Sequence, residues 1–223
     1  MEPLAEMAGP VLCVGAHPED LEIHAGGTVA RLVAAGHQVA YVLCTSGNRG
    51  SSDPAGSMAN LAAIREEEQR RAAAFLGVED ITFLRYNDGD LQYVARELRE
   101  QIVRLIREKR PQTLITHDPY PGDGSHDVCA IYPDHLTVGR VVFEAAYLCA
   151  PGPLFYPEQL EAGWKPHKPA VLYLIMSQRP DTFVAIAPVW EQKMQAVQTF
   201  KSQGRHRPEV RTFFHRIAEA LGQ

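Results

Sequence analysis

The stretch Val11-Leu12-Cys13-Val14-Gly15-Ala16-His17-Pro18-Glu19-Asp20, with Gly26-Gly27 close behind it, decides how this chain is read. Its apolar opening, rich in valine and leucine, predicts a buried strand of a parallel sheet. The run ends in a small-residue turn that carries a histidine and two carboxylates, and an apolar-periodic helix follows Gly26-Gly27. In an open α/β sheet the position just past the carboxyl end of a strand is where ligands bind. Pro18 fixes its own φ and disfavours a helical residue 17. The turn is therefore stiff, and His17, Glu19 and Asp20 can be aimed into one crevice. Chemistry there needs a further ligand from far along the chain.

Outward from that stretch, the pattern predicts a helix over 27–35, stopped by Gly36, and a second β-branched strand over 38–44. Strand, helix and strand in so short a span form a βαβ unit, which makes the sheet parallel with a right-handed crossover. Residues 45–56 collect Gly, Ser, Asn, Asp and Pro, a long irregular loop at the same end of the sheet as His17. An amphipathic helix over 58–76 bears Arg65-Glu66-Glu67-Glu68 and ends at Gly77. A short strand over 81–84, the turn Asn87-Asp88-Gly89, a helix over 93–109 and a strand over 113–116 come next.

Residues 117–133 then hold His117, Asp118, Asp123, His126 and Asp127 with hardly any periodic pattern, a loop of functional length. Asp134 reads as the cap of a helix over 136–148, with His135 in its first turn. Residues 151–169 are a surface excursion broken by Pro and Gly. The segments 170–175 and 182–186 read as two final strands, followed by helices over 189–201 and 209–221. No repeat or linker divides the chain. The expectation is one domain over 1–223, an α/β, Rossmann-like three-layer α/β/α sandwich with a mostly parallel sheet.

Composition narrows the function. A net charge of −5, spread without blocks over 223 residues, gives no electrostatic reason to expect nucleic acid or an anionic membrane surface as a partner. No GxGxxG or Walker pattern supports nucleotide binding through the loop 45–56. Cys13, Cys44, Cys129 and Cys149 lack CxxC spacing, and two fall in predicted strands, so buried thiols and a reducing cytoplasm are expected. Neither a leader-like segment nor an apolar run of spanning length is visible.

Three groups fall at strand ends or in the loops that follow them: the His17/Glu19/Asp20 turn, the loop from His117 to His135, and Asp88. Two imidazoles and a carboxylate with a vacant position form a catalytic zinc arrangement, because such an ion acidifies bound water and polarises an amide oxygen. Iron(II) suits the same donors. A neighbouring free carboxylate then serves as general base. Spacing alone leaves a second reading open, in which a histidine after a strand is a hydrogen-bonded turn residue and acidic loop residues are solvated.

The ordered set Ala16-His17-Pro18-Glu19-Asp20, Gly26-Gly27-Thr28, Thr45-Ser46-Gly47-Asn48-Arg49-Gly50, Arg65-x-x-Glu68, Asp88-Gly89 and Tyr132-Pro133-Asp134-His135 resembles the LmbE-like (PIG-L) metal-dependent de-N-acetylases. The likeness runs from about residue 11 to 203. It implies that His17, Asp20 and His135 bind zinc, that Glu19 stands where the family's general-base aspartate stands, and that Arg65 and Asp88 contact the sugar of the substrate. It also implies a homo-oligomer, up to a hexamer.

Three departures from the family pattern matter. Glu19 replaces aspartate and reaches one methylene further. Tyr132 stands where the family has the histidine that stabilises the oxyanion and protonates the leaving amine, and His126 in the same loop is the alternative donor. Asp134 either orients the residue at that position or simply caps the helix. Phe200-Lys201-Ser202-Gln203 matches a segment that commonly begins with histidine, and the phenylalanine is expected to pack. The expected function is a zinc-dependent amide hydrolase that removes an acetyl group from an N-acetylated amino-sugar or related small N-acyl substrate. The alternative is a non-catalytic or altered-specificity member of the same fold that binds a metal and a small ligand.

Overall fold

The computed structural model describes residues 7–53, 55–120 and 129–221. Strands β1 (Val11–Gly15), β2 (Val39–Thr45), β3 (Asp80–Tyr86), β4 (Thr113–His117) and β5 (Val171–Ile175) form one sheet in the order β3-β2-β1-β4-β5. Every pairing in it is parallel. The chain winds outward from β1 in both directions, so the crevice where the winding reverses opens past the carboxyl ends of β1 and β4. His17 follows the first of these strands and His117 ends the second.

Alternation along the strands sorts side chains into two cores. Val11, Cys13, Tyr41 and Leu43 pack with Leu21, Val29, Ala72 and Ala196. These last belong to α1 (Asp20–His24), α2 (Gly26–Ala34), α3 (Met58–Phe75) and α7 (Trp190–Gln198). Leu12, Val14, Val42 and Leu114 pack on the other face with Leu98 and Ile102 of α4 (Ala95–Lys109) and Val138 and Val142 of α5 (Pro133–Glu144). The sandwich therefore has helices on both faces, as expected. Full burial of each such aliphatic side chain contributes about 1.5–3 kcal/mol, enough to make the strand register strongly specified.

Several side chains tie down the chain after α5, Arg107 with the most bonds. A π turn, Ala145–Cys149, continues α5, and α6 (Pro157–Glu161) lies in the excursion beyond it. Arg107 of α4 is buried and donates to the carbonyls of Cys149, Ala150, Gly152, Phe155 and Tyr156 and to Gln159 Oε1, at 2.8–3.2 Å. The five N–H groups of a guanidinium serve these six acceptors with one hydrogen shared on Nη2; the three of an ammonium could not.

Most expected elements are present with ends shifted by a few residues, and one is absent. Residues 182–186 are not a strand. The segment lies across α2 instead: Ala185 O accepts from Arg31 Nη1 at 2.6 Å, and Ile186 lies so close that a Cβ on Gly27 would sit 2.5 Å from it. Alternation of apolar residues suits a segment laid across a helix as well as one paired in a sheet. Cys13, Cys44 and Cys149 are buried as expected, Cys129 is exposed, and none of the four forms a disulfide. Among the described residues no helix is long and apolar enough to cross a membrane.

Lys193 of α7 is buried against Gly26, with its Nζ 5.7 Å from the Phe214 ring centre on α8 (Pro208–Leu221). Burial pulls its pKa down from 10.5 to about 8. A depressed ammonium weakens the fold below the unfolded lysine's pKa, and the penalty is complete once pH falls below the folded value. Lys193→Met is therefore expected to stabilise the protein by on the order of 1–3 kcal/mol at pH 7. In urea unfolding the advantage should fade as pH rises from about 8 to about 10.5. A gain that does not change with pH would show that ionisation is not its source.

Candidate metal and catalytic centre

Three elements deliver the donors. His17 follows β1, Asp20 begins α1, and His135 stands in the first turn of α5. His17 Nδ1 lies 3.1 Å from His135 Nε2 and 3.4 Å from Asp20 Oδ2, and His135 Nε2 lies 3.4 Å from that same oxygen. Ligands at 2.0–2.1 Å around a tetrahedral zinc stand about 3.3–3.4 Å apart, so the triangle has the edges such an ion requires. All three side chains are buried. Two imidazole nitrogens and one carboxylate oxygen leave a fourth corner for water or substrate.

Local structure explains why these atoms meet. Asp20 Oδ2 accepts from the backbone N–H of His17 at 2.7 Å, which folds the carboxylate back over its own turn. Glu19 completes that turn at φ 95°, in the left-handed region. On the other side, a Cβ on Gly139 would lie 2.6 Å from the His117 carbonyl oxygen, so only glycine lets α5 approach β4 this closely. The approach lays the His135 ring on that of His117, with centres 4.2 Å apart and planes 10° from parallel.

The surroundings set the tautomers. His17 Nε2 is 3.2 Å from both Asp134 Oδ2 and Asp88 Oδ1, two acceptors that hold the proton on Nε2 and turn the Nδ1 lone pair into the triangle. His135 Nδ1 donates to the carbonyl of Cys129 at 2.6 Å, which frees its Nε2 in the same way. Burial opposes a charge on His17, yet Asp20, Asp134 and Asp88 hold its pKa well above the usual range, so the Nδ1 lone pair becomes available only where a bound cation displaces the proton there. Burial would raise Asp20, but His135, His17 and His117 hold it well below the carboxylate range. Three buried carboxylates around this histidine make a place built for positive charge.

Asp134 does not cap α5. Tyr132 occupies the cap position and Pro133 starts the helix, which places Asp134 inside the first turn. Its carboxylate accepts from Gly89 N at 2.7 Å and Leu91 N at 3.2 Å, tying the loop after β3 to the site. Asp88 on that loop is buried and accepts from the Tyr132 hydroxyl at 3.2 Å. Burial and the neighbouring Asp88 raise the phenol's pKa, so it keeps its proton. The Tyr132 ring meets those of His17 and His135 edge-on, at 5.4 and 5.5 Å.

Glu19 lies in the turn between His17 and Asp20. Its carboxylate receives two bonds from Arg205, at 3.0 and 3.2 Å, and lies 4.0 Å from Arg65 Nη2. Arg65 is buried, donating to the carbonyls of Gly47 and Pro18 at 3.0 and 2.8 Å, and its Nε is left without a partner among the described residues. His126 lies outside the described residues. Phe200 is fully buried in the core beside α1 and α3.

Sequence reasoning gave no role to four residues that the fold brings to this place, although it named His117 at the head of the loop after β4 and Glu68 in the Arg65-x-x-Glu68 motif. His117 Nε2 accepts from Ala16 N–H at 3.1 Å and lies 3.2 Å from Asp20 Oδ2. Burial lowers its pKa. Its position at the end of a strand adjacent to β1 was the available signal. Gln69 accepts from Glu19 N–H at 3.0 Å, and Glu68 receives two bonds from Ser202, at 2.9 and 2.6 Å. Nothing in the local sequence marks Arg205 as their neighbour.

Comparison with known proteins shows the family. The family described as PIG-L, GlcNAc-PI de-N-acetylase, matches residues 12–146. A diacetylchitobiose deacetylase of Thermococcus kodakarensis is 38% identical over 194 residues, covering 86% of this chain and 69% of that protein. A 1D-myo-inositol 2-acetamido-2-deoxy-alpha-D-glucopyranoside deacetylase of Streptomyces scabiei is 36% identical over 70% of this chain, but only 54% of its own length is spanned. Among solved structures, the N,N'-diacetylchitobiose deacetylase of Pyrococcus horikoshii superposes with a TM-score of 0.83 at 30% identity, over 95% of this chain and 76% of that one. With a buried His/Asp/His set at the end of its first strand and a family match over more than half its length, this chain belongs to the PIG-L family of LmbE-like de-N-acetylases.

Proposed function

We propose that the protein is a zinc-dependent amide hydrolase that removes the acetyl group from an N-acetylated amino-sugar or a related small N-acyl substrate. The supporting observation is the His17/Asp20/His135 triangle, whose edges and donor atoms suit a tetrahedral ion. Iron(II) is the second candidate for the same donors. A divalent ion held there would acidify a water and polarise the acyl oxygen.

The chain's own groups do the rest. Glu19 takes the water's proton as its oxygen bonds to the acyl carbon, then returns it to the amine nitrogen as the C–N bond breaks, releasing acetate and a free amine. The Tyr132 hydroxyl, which keeps its proton, donates to the acyl oxygen as that atom gains charge. His126 is the alternative donor. Asp134 holds His17 with Nε2 toward itself and Nδ1 toward His135 and Asp20, which would hold the ion with it, and Asp88 and Arg65 meet the sugar hydroxyls.

A second reading, altered specificity, is favoured by one observation: Tyr132 and Asp88 hold each other across the site. A panel of N-acetylated sugars and amino-acid conjugates, read by amine release, separates the two.

We also propose that residues 1–223 act as one domain in the cytoplasm and self-associate, up to a hexamer. Support comes from the continuous sheet, the buried thiols and the exposed apolar residues Phe143, Tyr147, Leu148 and Leu154 near the end of α5. Light scattering that gives a monomer at micromolar concentration would remove the last point.

Glu19→Gln should lower kcat for amine release by roughly 10²–10⁴ while bound zinc, measured by elemental analysis, stays at the wild-type level. Retained turnover would take Glu19 out of the base role. His135→Ala should lose both the metal and the activity, and full metal occupancy in that variant would contradict the proposed ligand set. Tyr132→Phe is expected to cost about tenfold or more in kcat with zinc unchanged. An unaltered rate would pass the oxyanion role to His126 or to the ion.

A further inference from the structure

Arg205 lies outside residues 12–146, where the family matches, and two positions past Gln203, yet its guanidinium faces the proposed base. Nε donates to Glu19 Oε2 at 3.0 Å and Nη2 to Oε1 at 3.2 Å, a two-pronged contact between residues 186 positions apart. The glutamate side chain is only 12% exposed and the arginine 34%. A built platform carries the arginine there. Phe200 is buried, Ser202 is bound twice by Glu68, and Gln203 Nε2 donates to Gly50 O at 3.1 Å. Gly204 then turns at φ 69°, and Arg205 N closes back on Phe200 O at 3.1 Å.

Glu19 itself has an unusual need for such a contact. Its backbone is fixed in the left-handed region and anchored by Gln69, but its side chain has one more torsion than an aspartate would. A free glutamate would spread its carboxylate over several rotamers, and paired N–H···O bonds from a planar fork select one of them.

We propose that Arg205 is the positioning residue for Glu19: its fork holds the longer carboxylate where it serves the reaction, and the docked turn 200–205 brings the fork to it. The inference rests on the reading of Glu19 as the general base. In this role Arg205 acts through Glu19 and contributes no contact to the acyl group.

The test uses the zinc-loaded full chain and N,N'-diacetylchitobiose as probe substrate. Arg205→Ala should lower kcat by roughly 10–100-fold with KM within about threefold, because a small misplacement of a reacting group has effects of that size. Arg205→Lys, which keeps the charge but not the fork, should fall between. In a Glu19→Asp background, where the shorter side chain gives the fork less to hold, Arg205→Ala should change kcat by less than about threefold, the non-additivity expected of coupled residues.

A readout independent of turnover is amidation of Glu19 by a water-soluble carbodiimide with glycinamide, followed by peptide mass spectrometry. Loss of the fork should speed it several-fold. A raised KM at unchanged kcat, an equal loss in the Glu19→Asp background, or amidation indifferent to Arg205 would each overturn the proposal. If amidation depends on Arg205 but Glu19→Gln still turns over, the base reading fails and the catalytic part of this inference falls with it, while the contact itself stands.

Discussion

One carboxylate oxygen, Asp20 Oδ2, organises the site. It accepts the backbone N–H of its own turn and lies 3.2–3.4 Å from nitrogens of three imidazoles, one after β1, one at the end of β4 and one on α5. A buried charge in that position is costly unless positive charge or donors surround it. The need extends outward: Asp88 and Asp134 hold the far side of His17, and the loop after β3 is tied to α5 by the same aspartate. Backbone geometry serves this arrangement, in the left-handed turn at Glu19 and the close approach at Gly139.

The parallel sheet makes the convergence possible. Adjacent parallel strands β1 and β4 bring their carboxyl ends together, so a residue just after one strand and a residue ending the other are neighbours despite a separation of a hundred positions. The helix that follows the loop after β4 then returns over the same crevice. Each contributor sits on a rigid element or on a turn closed by hydrogen bonds, which is what a site of fixed geometry requires.

Glu19 and Tyr132, where the chain departs from the pattern it resembles, are each braced by a residue distant in sequence. The longer carboxylate is met by an arginine from the C-terminal segment, and the phenol finds an acceptor in Asp88. Both substituted side chains thus have partners in this fold.

The sequence by itself determined the layered architecture, the parallel sheet and the motif carrying His17, Glu19 and Asp20, because strand and helix periodicity and a stiff proline turn are local properties. It also brought His135 under suspicion through its place at the start of a helix. Tertiary structure alone decided that residues 182–186 lie across α2 instead of pairing, that Asp134 braces a loop instead of capping a helix, and that His117 and Arg205 reach the centre. In each case the deciding contact joins segments distant in sequence. Hydrogen bonds and packing of that kind depend on which strand lies beside which, and no local pattern encodes it.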